Sequence, residues 1–363
     1  MSARVISHIY CSMLVSIATM LLILSAEAAD LPGVSFRHND WEIDCDNTRT
    51  CRAAGYQGDD PYELTVSVLL TRLAGPRQPV SGQLMIGAYG DTDFLKALPS
   101  VFTLSMKINE RSLGSVIVDQ KTLVAKLSQR QVSALISAVA RRSNVEWTAG
   151  DNVWRLSNNG ATAVLTKMDE FQGRIGTKRA LLRKGSHDEH SVLLPLPAPV
   201  VMSALPAKAM PGDNQLMQND TGTLTDELRA TVTKRDCPDL VGEYDASPRQ
   251  FSAHRLTKTK LLVSTQCWLA AYNSGDGFWV INEKPPHQPV LVTAHGSGYG
   301  DGAIFSSQKS RGLGDCWSTE GWTWDGKEFV HTESSSTGMC KLIAPGGAWP
   351  LPLIVTDVRH PLN

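Results

Sequence analysis

Tyr62-Glu63-Leu64-Thr65-Val66-Ser67-Val68-Leu69-Leu70-Thr71 decides the fold class. Leu64, Val66, Val68 and Leu70 recur at every second position, with smaller or polar residues on the other face, which is the period of a β-strand. Further strands are expected at 83–88, 101–108 and 113–118, each bounded by Gly, Asn or Asp, so the economical arrangement is an antiparallel meander. The period then becomes helical. Ser128 with Gln131 three residues on forms a capping box, and Val132, Leu135, Ile136 and Val139 follow at helical spacing. A short strand at 153–156 leads to Ser157, read as the N-cap of a second helix whose apolar face is Ala161, Val164, Leu165 and Met168.

Residues 194–235 are rich in Pro, Ala, Asn, Asp, Thr and Gly without a sustained period, and read as a linker with one short helix near 225–232. A linker of this composition permits hinge motion. Beyond it lie six of the nine tryptophans: Trp268, Trp279, Trp317, Trp322, Trp324 and Trp349. Short strands are expected at 260–271, 278–282, 290–294, 303–306, 321–324 and 328–332, with Asp325-Gly326 as a type I′ hairpin turn. The expected class is mainly β (α+β): a signal peptide at 1–28, a β domain with two helices at 29–193, the linker at 194–235 and an all-β domain at 236–363.

Arg4, the apolar run 11–24 and Ala26-Glu27-Ala28 form a secretory leader with a cleavage site near Ala29. Of seven cysteines, Cys11 falls in that leader, leaving Cys45, Cys51, Cys237, Cys267, Cys316 and Cys340 for an oxidising compartment, periplasmic or extracellular. Cys45 and Cys51 bracket a polar turn and suit a clipped hairpin. For the other four, Cys237 with Cys267 and Cys316 with Cys340 is the simplest of the pairings open. No two cysteines have C-x-x-C spacing, so disulfides are expected and metal is not. Lys+Arg 35 against Asp+Glu 36 gives no bias toward nucleic acid. After the leader no apolar run reaches the roughly 18 to 20 residues of a membrane helix.

Four stretches carry a resemblance: Asp40-Trp41-Glu42-Ile43-Asp44-Cys45, Met168-Asp169-Glu170-Phe171-Gln172-Gly173-Arg174, Arg311-Gly312-Leu313-Gly314-Asp315-Cys316 and Trp322-Thr323-Trp324-Asp325-Gly326. In this order they resemble a bacterial exported family catalogued as domain of unknown function 1176, over nearly the whole mature chain. The resemblance implies an exported protein of Gram-negative type bacteria with conserved cysteine pairs and no established activity. The region of Trp41, Cys45 and Cys51 is also distantly similar to the invasion-associated locus B family.

Two constellations are candidates for chemistry. His295, Ser297 and Asp301 share the glycine-rich stretch 294–302, although its strand-to-strand context is not that of a G-x-S-x-G elbow, and turn formation is the plainer reading. Around Cys316, Arg311, Asp315, Trp317, Glu320, Trp322 and Trp324 form a second set, in which alternation puts Trp322 and Trp324 on one face as a platform for sugars or peptides if exposed, or as core if buried. Asp169 and Glu170 read as a solvated helix end, and His187-Asp188-Glu189-His190 as a surface loop. No cofactor motif is present. The leading expectation is a noncatalytic envelope module that binds a protein or a cell-wall or surface glycan. Its alternatives are an exported hydrolase centred on His295, Ser297 and Asp301, and a secreted host-interaction factor.

Overall fold

The protein is described by a computed structural model covering residues 33–361 apart from 88, 90–94, 96–97, 214–221 and 243–249. The expected leader, with Cys11 and the cleavage site near Ala29, lies outside the described residues.

Strands β1 (Val34–His38), β2 (Trp41–Cys45), β3 (Cys51–Tyr56), β4 (Val66–Arg72) and β5 (Val80–Ile86) form an antiparallel meander. The strand read from 62–71 is β4, and Val66, Val68 and Leu70 are fully buried in the first core, as their alternation requires. Cys45 stands opposite Cys51 in the β2–β3 register and is bonded to it. Asp46 closes the turn between them, its Oδ1 accepting from the Thr48 and Thr50 amides at 2.9 and 3.1 Å. Strands β6 (Val101–Ile108) and β7 (Arg111–Asp119) begin a second sheet, β8 (Val124–Leu127) completes the first, and β9 (Val145–Ala149) and β10 (Asn152–Leu156) complete the second.

Helix α1 (Gln129–Val139) carries the expected capping box, both bonds being present. Helix α2 (Ala161–Phe171) starts later than expected, at Gly160 rather than Ser157. Ser157 donates instead to Asp40 Oδ2 at 2.6 Å. Gly160 has φ +96° and packs so closely on β1 that an added Cβ would lie 1.8 Å from the His38 carbonyl oxygen. Both helices and both sheets share one core.

The stretch 194–213, inside the expected linker, makes backbone hydrogen bonds to its surroundings. Leu196 N donates to Thr48 O, Ala204 N to Trp324 O and Ala207 N to Leu256 O. Within it β11 (Val200–Met202) pairs in parallel with the last strand. The short helix is found as α3 (Thr223–Arg229), followed by α4 (Pro238–Val241). Strands β12 (Ser252–Arg255), β13 (Lys260–Leu269), β14 (Ser274–Asn282) and β15 (Val290–Gly296) make a four-stranded sheet. One of its faces, through Leu261, Val263, Trp279 and Ile281, packs on α3 and α4, to which Cys237–Cys267 ties it. The other, through Leu262, Phe278 and Val280, packs on Ile304 and Trp324 of a five-stranded sheet. That sheet is β16 (Gly298–Gly300), β17 (Ala303–Lys309), β18 (Trp317–Trp324), β19 (Phe329–Ser336) and β20 (Leu351–Ile354), and β21 (Asp357–Arg359) is the partner of β11. The β18–β19 hairpin is present, but its turn is a four-residue loop, not type I′. Asp325 Oδ1 gathers the Lys327 and Glu328 amides at 2.7 and 2.8 Å, and Asp325 N bonds Glu328 O.

The outward face of the first sheet is covered as well. Residues 337–350, the excursion between β19 and β20, lay Ile343, Ala348 and Trp349 on Ala54, Tyr56 and Leu69. Cys316–Cys340 fixes one end of this loop. Trp349 Nε1 donates to Ser67 Oγ at 2.7 Å, Met339 N to Glu42 Oε1 at 2.6 Å, and Lys341 Nζ to Asp40 Oδ1 at 2.7 Å. Gly338, at φ +89°, leaves room for the Tyr56 hydroxyl, 2.3 Å from where a Cβ would stand. Removing the buried Trp349 indole opens a cavity and takes away the donor to Ser67 Oγ, whose hydroxyl keeps its bond to the Gly55 carbonyl. Trp349→Ala should cost about 3–5 kcal/mol, read as a lowered midpoint in chemical denaturation. A change within error would show that the loop does not hold the sheet.

Candidate functional site

A cleft of about 380 Å³ opens between the four- and five-stranded sheets. Strand alternation sends Glu320, Trp322 and Trp324 of β18 to the same side. Trp324 is 1% exposed and belongs to the core, whereas Trp322 is half-buried and lines the cleft. Opposite Trp322 in the β18–β19 register is His331, with ring centroids 5.0 Å apart and planes 18° from parallel. His331 Nε2 is hydrogen-bonded to Glu320 Oε2, and Ser334 Oγ donates to Glu320 Oε1 at 2.9 Å. Phe329 completes this wall, while Lys260, Val280 and the 290–292 segment form the other. The result is an apolar slot with an indole and a carboxylate-held imidazole at its rim, the arrangement of a small-ligand site.

The other expected members are placed elsewhere. Arg311 and Asp315 form a bidentate pair, and Asp315 also accepts from Leu342 N at 2.8 Å. Burial alone would raise the Asp315 carboxyl, but these bonds outweigh it and hold it below the usual range. The pair clamps the loop at Cys340 and stands at the far end of β18, seven residues and about 23 Å of strand from Trp322. Asp315, Cys316 and Cys340 bring their ligand atoms within 4.8 Å of one another, yet both sulfurs are spent in the disulfide. In the glycine-rich stretch, His295 Nδ1 accepts from Trp268 Nε1 at 3.1 Å, Ser297 Oγ accepts from Ser307 N at 2.9 Å, and Asp301 stands exposed in the β16–β17 turn. Among the described residues no hydrogen bond joins these three.

Asp169 is not a solvated helix end. It is fully buried, accepts from Leu181 N at 2.6 Å and pairs with Arg72 at 3.3 Å. Burial pushes Asp169 up and Arg72 down to about 10. Arg174, also fully buried, pairs with Glu189 at 2.8 Å and donates to Gly75 O at 2.6 Å. Glu189 is therefore buried too, while His187, Asp188 and His190 lie on the surface as expected. The sequence reading missed His331. Hairpin arithmetic contains it, because pairing Trp324 with Phe329 sets Trp322 against His331.

The family model described as "Protein of unknown function (DUF1176)" matches residues 35–356. The chain is similar to the Uncharacterized protein YpfG of Escherichia coli (strain K12), 24% identical over 341 residues that cover 86% of this chain and 90% of that protein. No solved structure matches.

Perturbed carboxylates are candidates for catalysis, and Asp44 is one. Burial, opposed by the Ser35 hydrogen bond and reinforced by Glu42, pushes it above its ordinary 3.8. It lies beneath Ser336, 5% exposed, and so its shift belongs to stability rather than to the cleft. A raised folded value contributes stability fully present below 3.8 and lost as pH rises through the folded value. Asp44→Asn should therefore be more stable than the parent at neutral pH and lose that advantage below 3.8, as followed by denaturation at a series of pH values. A difference that does not change with pH would contradict this assignment.

Proposed function

The chain belongs to the DUF1176 family, and from that premise we propose that it is an exported, noncatalytic binding protein that holds a glycan in the cleft beside Trp322. Export to the periplasm or cell exterior is supported by three disulfides and by the leader read in the sequence. The observation that carries the binding reading is the half-buried Trp322 against His331. An indole offers a flat apolar face to a sugar ring, and the Glu320 bond keeps the imidazole from swinging into the slot. Lys260 and Lys327 stand at the edges to meet hydroxyls. A volume of about 380 Å³ suits one or two sugar rings rather than a folded partner. The hydrolase reading has no comparable support, since His295 and Ser297 are committed to separate neighbours.

The test is binding of the oxidised protein to a panel of cell-wall and surface saccharides, by glycan array and then calorimetry. Trp322→Ala should weaken capture about tenfold or more, a loss of about 1.4 kcal/mol. Because Trp322 also packs on the inter-sheet core, its thermal midpoint should fall as well, and binding is compared at a temperature where circular dichroism shows the variant folded. Capture that survives Trp322→Ala, or turnover of a panel member that is lost on His295→Ala, would overturn the proposal.

A further inference from the structure

In a chain whose charges nearly cancel, one segment carries cations without acids. Residues 174–187 contain Arg174, Lys178, Arg179, Arg183 and Lys184 and no carboxylate, against 35 Lys+Arg and 36 Asp+Glu in the whole sequence. Arg174 is buried, and the other four are exposed. The nearby acids are committed: Glu189 to Arg174 and Arg179, Glu170 to Lys167, Asp188 to His190. Lys178, Arg183 and Lys184 have no ion-pair partner among the described residues.

This loop is not a floppy basic tail. Asp169 grips the amides of Leu181 and Leu182 at 2.6 and 3.3 Å, Gly176 N bonds Arg183 O, and Lys178 N bonds His187 O. The backbone that carries the cations is therefore held in place, which lowers the ordering cost of binding to that of the side chains. Concavities flank the ridge on two sides. One, of about 570 Å³, is lined by Arg183 and Arg142 together with the Lys167–Glu170 ion pair. The other, of about 480 Å³, is lined by Lys178 and Arg179 together with Arg77, and also by Asp188 and Glu189, whose carboxylates are engaged by His190 and by Arg174 and Arg179.

We propose that this ridge and its two clefts bind an acidic glycan, a saccharide chain carrying carboxylate or phosphate groups. Unpaired guanidinium and ammonium groups supply the charge complement, and guanidinium matches either anion through two parallel hydrogen bonds. The clefts favour a saccharide over an anionic lipid surface, because each has the volume of one or two sugar rings, whereas a bilayer presents a flat face that concave walls do not follow. The site is separate from the Trp322 cleft and does not depend on the reading given to that cleft.

The experiment measures retention of the oxidised protein on immobilised polygalacturonate, with neutral dextran as control, from low salt to about 0.3 M. Binding should be specific to the acidic polymer and should weaken with salt. Lys178→Glu/Arg183→Glu/Lys184→Glu should lower it about tenfold or more, and Arg142→Glu, outside the loop, should lower it independently. Reversing three exposed cations elsewhere, Lys121, Lys126 and Arg130, should leave it nearly unchanged, as should Trp322→Ala. Equal retention on dextran, or equal loss in the two triple variants, would overturn the proposal. So would tighter binding to phosphatidylglycerol vesicles than to polygalacturonate. Circular dichroism of the variants separates misfolding from lost contact, and Arg142→Glu keeps the test open should the loop variant misfold.

Discussion

The structure depends on a row of carboxylates buried between the first sheet and the 337–350 loop. Strand β2 points Trp41, Ile43 and Cys45 into the main core and Glu42 and Asp44 the other way, with Asp40 before the strand. All three acids are at most 6% exposed. Carboxylates taken from water cost several kcal/mol each unless donors replace it. Nearer donors meet part of this need, Tyr56 and Arg37 at Glu42, Ser35 at Asp44 and Ser157 at Asp40, and the rest arrive from about 300 residues away: Met339 N to Glu42, Ser336 Oγ to Asp44 and Lys341 Nζ to Asp40. The first sheet is thus incomplete until the end of the chain has folded onto it. Contacts of such sequence separation also belong to slowly folding topologies. The same loop joins β19 to β20, so it fixes the strand that carries His331.

The elements legible in the sequence were those set by local rules. The alternation in β4, the capping box of α1 and the Asp46 turn between Cys45 and Cys51 are all determined within a few residues. The mainly β class followed from them. What escaped was set by distant partners. Leu69 breaks the alternation of β4 because Trp349 and Ile343 cover the face that a two-sided reading leaves to water. Gly160, not Ser157, opens α2 because only glycine fits against the His38 carbonyl. Asp169 looked solvated because its donors, Arg72 and the 181–182 amides, are remote in sequence. For the cleft, Trp322 and Trp324 were legible as a pair on one strand face, either platform or core, and the structure divides them, with Trp324 in the core and Trp322 at the cleft. Whether an indole of a β-strand lies at a rim or in a core is decided by the sheet opposite.

The four stretches that carry the family resemblance turn out to do mechanical work. Asp40 to Cys45 receives the C-terminal loop, Met168 to Arg174 pins the 174–190 segment, and Arg311 to Cys316 clamps the loop at Cys340. In the fourth, Trp324 fills the inter-sheet core and Asp325 closes the hairpin. Only Trp322 in these stretches also lines the cleft. These stretches therefore serve mainly as scaffold in this chain.

The geometry at Trp322 rests on one irregularity. The register sum of the β18–β19 hairpin changes between Gly321 and Trp322, leaving Thr332 as the extra residue of a bulge. With a continuous register, Glu320 would stand directly opposite Glu333, two like charges side by side, which is destabilising. The bulge moves Glu333 opposite Gly321, where there is no side chain to meet it, and brings Ser334 opposite Glu320 as a hydrogen-bond donor. Glu320 is then free to hold His331, and His331 to lie flat against Trp322. A Cβ at Gly321 would lie 3.2 Å from that of Glu333, a tight contact that the glycine avoids.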